Sequence, residues 1–397
     1  MSELYELPEG WEWKSLDEFT TIKSGKRVPK GYKLSEESTP YPYIRVTDFN
    51  NYGSVDTDDI RYISEDIYQK IKNYTITDKD IYISVAGTIG KTGIIPSELN
   101  GANLTENAVK IVFDNELYDK RFLLNFTNSI VFMEQVGLAT KAVAMPKLAI
   151  TRLKKVLIPL PPLQEQKRIV AKLDTLFEKI DKAIALHQKN MDEADIFMGS
   201  VLNDVFGELE EKYGKTDLKN IAIITMGQSP KSITYNTNGL GMPFFQGKKE
   251  FGKLNPTVEK YCTEPKKIAK KGDVLMSVRA PVGPTNIANI NCAIGRGLCS
   301  IRAKENQFTM YIYYFLNHFE KDIEKMGKGS TFSAINKKET ETLKVPSVSL
   351  TIQQKTVSYL DSISQKTEKL KAVQKEKMQS LIALKASILD QAFRGEL

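Results

Sequence analysis

The sequence predicts an α+β fold: two mixed α/β domains separated by two long antiparallel coiled-coil helices, arranged as a pseudo-two-fold internal repeat. Three observations predict it. The tail Ser200-Val-Leu-Asn-Asp-Val-Phe206-Gly-Glu-Leu209 returns as Ser387-Ile-Leu-Asp-Gln-Ala-Phe393-Arg-Gly-Glu-Leu397. Upstream of it, Gln166 matches Gln353, Asp174 matches Asp361 and Met191 matches Met378 at a constant offset of 187 residues, which marks a long-period repeat. Both copies space their apolar residues by threes and fours, and the segments before them share one order of strand-like and turn-like stretches.

The first domain spans 1–160. Phe19-Thr-Thr-Ile22 is strand-like, and the basic loop Lys23-Ser-Gly25-Lys26-Arg27-Val-Pro29-Lys30 follows it. Tyr41-Pro42-Tyr43-Ile44-Arg45-Val46 is the next strand candidate. From Asp80 to Ile95 the pattern is strand, glycine turn, strand, with Gly87, Gly90 and Gly93 between the apolar runs. Ala108-Val-Lys-Ile-Val-Phe113 is a further strand and 122–136 a short helix.

The first long helix is expected over 161–209. Pro161-Pro162 opens this segment, as suits a helix start, and no proline follows within it. Its seam holds Leu173, Leu176, Ile180, Met191 and Val201, with His187 as a polar residue tolerated among them. At 1.5 Å per residue about 40 residues make a rod of roughly 60 Å. A helix of that length with one narrow apolar face needs a partner. The partner is its repeat, 350–397, whose seam is Leu360, Ile363, Leu370, Met378, Leu381 and Ile388, with Leu384 in the same series. The two segments carry net charges of −3 and +3, a sign difference that favours pairing.

The second domain, 210–349, repeats the order of the first with different loops. Gly227-Gln-Ser-Pro230 answers Gly25 to Pro29, and Pro243-Phe244-Phe245-Gln246 answers Pro42 to Arg45. Asp273 to Gly283 answers Asp80 to Gly90, and Gly327 to Thr331 answers Gly137 to Lys141.

Composition narrows the function. Hydrophobic residues make up 41% and charged residues 26% of the 397, which describes a globular chain. No apolar run approaches the ~20 residues of a membrane span, and the acidic start Met-Ser-Glu-Leu-Tyr-Glu lacks a signal-peptide core. The odd, sparse cysteines Cys262, Cys292 and Cys299 suit reduced thiols in a cytoplasm. The net charge of +7 is uneven: residues 1–160 carry −2 and 210–349 carry +9. The second domain is thus ready for a polyanion. In the first, a nucleic-acid surface needs local clustering.

Catalytic motifs are absent. Gly90-Lys91-Thr92 lacks the glycine that a phosphate loop needs five residues earlier, where Val85 stands, and strand-like residues follow it. The only histidines are His187 and His318, and no Cys-x-x-Cys pair exists, so a zinc set is not expected. Pro161-Pro162 is flanked by leucines, unlike the Pro-Pro-aromatic motif of adenine methyltransferases. The chain is expected to do no bond-making chemistry and to hold no cofactor or metal.

The chain resembles the specificity subunit of Type I restriction-modification systems. The residues that carry the resemblance are Ile158-Pro-Leu-Pro-Pro-Leu163-Gln-Glu-Gln166-Lys-Arg-Ile-Val170, the Gly87-Thr-Ile-Gly-Lys91 turn after Asp80-Ile-Tyr-Ile-Ser84, and the Phe-Arg-Gly-Glu-Leu terminus. The second junction departs from it, since Val345 to Gln354 keeps the leucine and glutamines but one proline. The resemblance covers the whole chain. It implies two target recognition domains held apart by the helix pair, each reading one part of a split site in double-stranded DNA. It also implies modification (methyltransferase) subunits, two in number, docked on the helices, and restriction subunits that complete an ATP-dependent nuclease. S-adenosylmethionine, ATP and Mg are then expected in those partners, and no membrane is involved.

For such a role, side chains on loops must reach base edges while basic residues hold phosphates. In the first domain the candidates are Lys26, Arg27, Lys30, Arg45, Lys91 and Lys141. In the second they are Gln228, Lys231, Gln246, Lys248, Lys249, Arg279, Arg296, Lys328, Ser330 and Thr331. Arginine and glutamine are the better base readers; the lysines suit phosphates. The rival reading is a coiled-coil adaptor with protein-binding domains, which predicts no salt-dependent affinity for DNA.

Overall fold

The computed structural model describes residues 5–50, 52–113, 118–137, 147–327 and 334–397. The candidates Lys141, Lys328, Ser330 and Thr331 lie outside the described residues. The chain divides into two compact units, one of 1–186 with 376–397 and the other of 187–375. Each unit therefore contains one α/β domain and a portion of each long helix.

In the first unit a four-stranded antiparallel sheet runs in the order Thr20–Ser24, Ala108–Phe113, Ile81–Ser84, Thr92–Gly93. A three-stranded sheet sets Pro42–Ile44 between Arg61–Tyr62 and Asn103–Leu104, the latter pairing parallel. Glu12–Ser15 pairs with Leu157–Leu160. The second unit repeats this plan. Ala222–Met226, Leu298–Ala303, Val274–Ser277 and Thr285–Ile287 form its four-stranded sheet in the same order. Met242–Phe245 again pairs parallel with Cys292–Ile294, in a sheet enlarged to five strands. Lys215–Asp217 pairs with Lys344–Pro346.

The central strands Ile81–Ser84 and Val274–Ser277 are buried along their whole length, which explains their near-continuous apolar runs. Each is preceded by a buried aspartate with a basic partner on the neighbouring strand. Asp80 accepts from the Thr77 amide and the Lys110 ammonium. Asp273 accepts from the Lys270 amide, the Ser300 hydroxyl and two guanidinium nitrogens of Arg302. A carboxylate this deep is tolerable only when paired and hydrogen-bonded.

The long helices are Leu163–Tyr213 and Leu350–Arg394. The Pro162 carbonyl accepts the first free amides, those of Glu165 and Gln166. Gln166 and Gln353, matched in the repeat, are both 1% exposed and lock each helix start to its domain. Gln166 donates to the Pro161 carbonyl and accepts from the Asp119 amide. Gln353 donates to the Val348 carbonyl and accepts from the Phe308 amide. The repeated tails end differently. Gly395 closes the second helix at φ +75°, the left-handed position glycine favours. Its counterpart Gly207 is passed through, and the first helix runs on over Glu208-Leu-Glu-Glu-Lys-Tyr213 to stop before Gly214 at φ +70°.

Within each unit the two helices run antiparallel. In the first, Arg168 meets the Leu397 carbonyl and Asp181 meets Lys385. In the second, His187 meets Gln374 and Asp195 meets Lys371. The seam holds Leu173, Ile180, Val201, Leu360 and Ile388 buried, with Leu176, Met191, Ile363, Met378 and Leu381 half-buried. Leu370 is not on it: it is 47% exposed, as is Leu384 at 49%. Their places are taken one residue later by Lys371 and Lys385, both half-buried and paired with aspartates of the facing helix. Lysine stems cover apolar surface while the ammonium finds a carboxylate, and Lys385 also lies 4.7 Å from the centre of the Phe177 ring.

Phe206 and Phe393, equivalent in the repeat, each plug one domain. Phe206 packs on Tyr311, Phe315 and His318, and Phe393 on Phe122 and Phe126; both are fully buried. No helix among the described residues is long and apolar enough to cross a membrane.

Candidate nucleic-acid interface

The candidate loops hang on equivalent backbone frames. In the first unit the Gly25 and Lys26 amides donate to the Ala108 and Leu104 carbonyls. A Cβ at Gly25 would lie 2.0 Å from the Thr105 carbonyl oxygen, so only glycine fits. In the second, the Gly227 and Gln228 amides donate to the Leu298 and Ile294 carbonyls, and a Cβ at Gly227 would lie 2.1 Å from the Gly295 oxygen. The central turns also agree. The Ser84 amide donates to the Lys91 carbonyl and the Gly90 amide to the Ser84 carbonyl; Ser277 with Pro284, and Gly283 with Ser277, do the same. These bonds align Lys26 with Gln228, Arg27 with Ser229, Arg45 with Gln246, and Glu106 with Arg296.

The side chains on these frames differ. In the first unit Arg27 Nε donates to Glu106 Oε1 at 2.6 Å; its side chain is 77% exposed. Burial alone would raise the Glu106 carboxyl, but Arg27, its own amide and Thr105 hold it below the ordinary glutamate range. The Lys26 ammonium lies 5.5 Å from the centre of the Tyr74 ring, and Lys30 is exposed. Arg45 and Lys91 are braces. Arg45 donates to Asp48 and to both the carbonyl and carboxylate of Asp59, and these contacts raise its pKa. Lys91 is half-buried and donates to the Phe49 carbonyl at 2.7 Å.

In the second unit a cavity of about 270 Å³ is lined by Gln246, Lys248, Ser277, Arg279 and Arg296, among others. The structure thus brings together four of the sequence candidates. Lys249 stands apart in an ion pair with Glu259, while Gln228 and Lys231 are exposed on the neighbouring loop. Sequence reasoning missed Glu106, Ser229 and Ser277, because a search for basic residues passes over the acid and hydroxyls that orient them. The aligned turns were the available signal.

The chain is similar in sequence and fold to known proteins. The family model described as "Type I restriction modification DNA specificity domain" matches residues 8–190 and 210–378. A putative type I restriction enzyme MjaX specificity subunit of Methanocaldococcus jannaschii is 33% identical, with 95% of this chain and 92% of that protein covered. A chain from a structural study of complex assembly and conformational transition of the type I R-M system superposes with a TM-score of 0.79 at 32% identity, over 99% of this chain and 100% of that one. The HsdS subunit from Thermoanaerobacter tengcongensis does so with a TM-score of 0.56 at 32% identity, covering 100% and 99%.

Proposed function

The chain belongs to the Type I restriction-modification DNA specificity family, and from that premise we propose that each unit reads one part of a two-part, asymmetric site in double-stranded DNA. One observation carries this reading: the two units repeat one strand order yet carry different side chains at aligned turn positions, acidic Glu106 against basic Arg296 and the brace Arg45 against Gln246 at the cavity. A shared frame with unlike readers suits two unlike half-sites. Lys26, Arg27 and Lys30 serve the first unit, and Gln246, Lys248, Arg279 and Arg296 the second; Arg45 and Lys91 hold loops.

The helices offer the docking surface. Leu186 is 57% exposed and its repeat equivalent Val373 46%; Phe197 is 53% exposed and its equivalent Leu384 49%. Equivalent apolar positions in each unit support two copies of one partner, the modification subunits, which would methylate adenine using S-adenosylmethionine. Restriction subunits would add ATP- and Mg-dependent cleavage in the cytoplasm. The chain itself supplies reading and frame, not bond-making.

The test is sequencing of methylated adenines in host DNA with and without this gene. Loss of methylation at one gapped motif on deletion supports the reading. Unchanged methylation overturns it and favours the adaptor.

A further inference from the structure

In the second unit, the Gly295-Arg296-Gly297 turn lies tight against Gln246, and Gly297 has no room for a side chain. A Cβ at Gly297 would lie 2.3 Å from the Gln246 carbonyl oxygen, and one at Gly295 3.1 Å from Gln246 Cα. The turn is pinned by the Gly295 amide on the Phe245 carbonyl, the Val278 amide on the Gly297 carbonyl, and the Arg296 amide on Ser229 Oγ at 3.2 Å. Arg296 is thus the one side chain this turn projects, and it is exposed at the cavity. Arg279 reaches the same cavity from the neighbouring turn, where its carbonyl accepts from the Ser277 hydroxyl at 3.0 Å.

Neither arginine forms an ion pair among the described residues. Burial raises the Glu320 carboxyl, which Lys248 of the cavity lowers in part, and burial raises the Tyr235 hydroxyl, which Arg296 lowers in part. The first unit is different, since the turn position of Arg296 holds Glu106, which occupies Arg27.

We infer that Arg296 and Arg279 are guanine readers of the second unit, fixing guanine in the half-site it recognises, while Lys248 contacts phosphate. The inference rests on the DNA-reading role proposed above. The chemistry is that of the guanidinium fork. With no carboxylate taking its donors, an arginine can give two parallel hydrogen bonds to guanine O6 and N7. A rigid turn carrying a single side chain is pre-organised for that contact.

The experiment uses the full chain with its modification partners, expressed in a host lacking this gene, and maps methylated adenines. R296A and R279A are expected to relax a guanine in one part of the motif by about 5- to 150-fold in preference, with the other part unchanged. Retention of the remaining base requirements in the relaxed part reports that the second unit of the variant has folded. R296Q is expected to shift the same position toward adenine, which glutamine reads. K248A is expected to lower methylation at all sites without altering the motif. If R296A and R279A instead lower methylation uniformly, the arginines are phosphate clamps and the inference is overturned. It is also overturned, alone, if the wild type yields a gapped motif whose every base requirement survives in both variants. A wild type that yields no motif overturns this inference together with the DNA-reading role.

Discussion

His187 and Gln374 hydrogen-bond across the helix pair, Nδ1–H of the one donating to Oε1 of the other, and they are also equivalent positions of the internal repeat. An antiparallel pair built from a repeat has one level at which equivalent residues meet, and here that level is polar. A polar contact in an apolar seam fixes register at some cost in stability. Gln374 is 8% exposed, so removing its partner is expensive.

The first prediction concerns that contact. H187L or Q374L alone should destabilise the second unit by about 1–2 kcal/mol, because one buried polar group loses its partner. The double variant should recover most of that loss. Thermal unfolding of all four chains gives the coupling; additive losses would show that the contact contributes nothing specific.

The repeated phenylalanines make a sharper pair. They occupy equivalent positions of the repeat, yet Phe393 plugs the first unit and Phe206 the second. F206A and F393A should each cost about 3–5 kcal/mol through the cavity left behind. Hydrogen exchange should localise the loss to residues 210–349 for F206A and to 5–160 for F393A. Protection lost equally in both regions by either variant would contradict the assignment.

His318 gives the second unit a pH dependence. Burial lowers its pKa, only partly offset by Glu210 and Asp322, and its Nδ1 is buried without a hydrogen-bond partner among the described residues. It stacks on Phe206 at 5.3 Å. The unfolded chain therefore binds this proton more readily than the folded one. Stability is fully present above the unfolded value of 6.5 and is lost as pH falls below it. H318F should flatten the dependence between about pH 5 and 7 in chemical denaturation; an unchanged slope would remove His318 as the cause.

How much of this was legible follows from the physics of each element. The long helices were, because their period is local and repeated 187 residues apart. The seam slipped at Leu370 and Leu384, because counting apolar letters ignores lysine stems; Lys371 and Lys385 hold those places with Asp195 and Asp181 supplied by the other helix. The order of strands was readable by matching the halves. The parallel pairing of Pro42–Ile44 with Asn103–Leu104 was not, since it joins segments some sixty residues apart through a register no local pattern encodes. Arg45 is a candidate by its charge, but Asp48 and Asp59, which occupy it, lie nearby in sequence and carry no signal of pairing. Glu106 was invisible for the opposite reason, lying 79 residues from Arg27.

That ion pair supports a prediction for the first unit. Arg27 is largely exposed, so E106Q should change stability by less than about 1 kcal/mol. Its effect should fall on DNA reading, because the carboxylate both orients Arg27 and can itself accept from a cytosine amino group. The methylated motif should lose stringency in the part left intact by R296A. A motif identical to wild type would mean that the pair is only surface structure.

The last prediction separates docking from folding. Leu186, Ile382 and Leu384 are exposed in the first unit, and Ile196, Phe197 and Val373 in the second. None plugs a core, so an aspartate at any of them should leave the unfolding midpoint nearly unchanged. A buried interface would respond differently, since an unpaired charge in an apolar contact costs several kcal/mol. L186D with L384D should then remove one modification subunit from the complex, F197D with V373D the other, and all four both. Native mass spectrometry of the co-expressed assembly reads this as steps of one subunit. Full occupancy in the quadruple variant would place the partners elsewhere. Loss of both from either double variant would show that the two sites do not act independently.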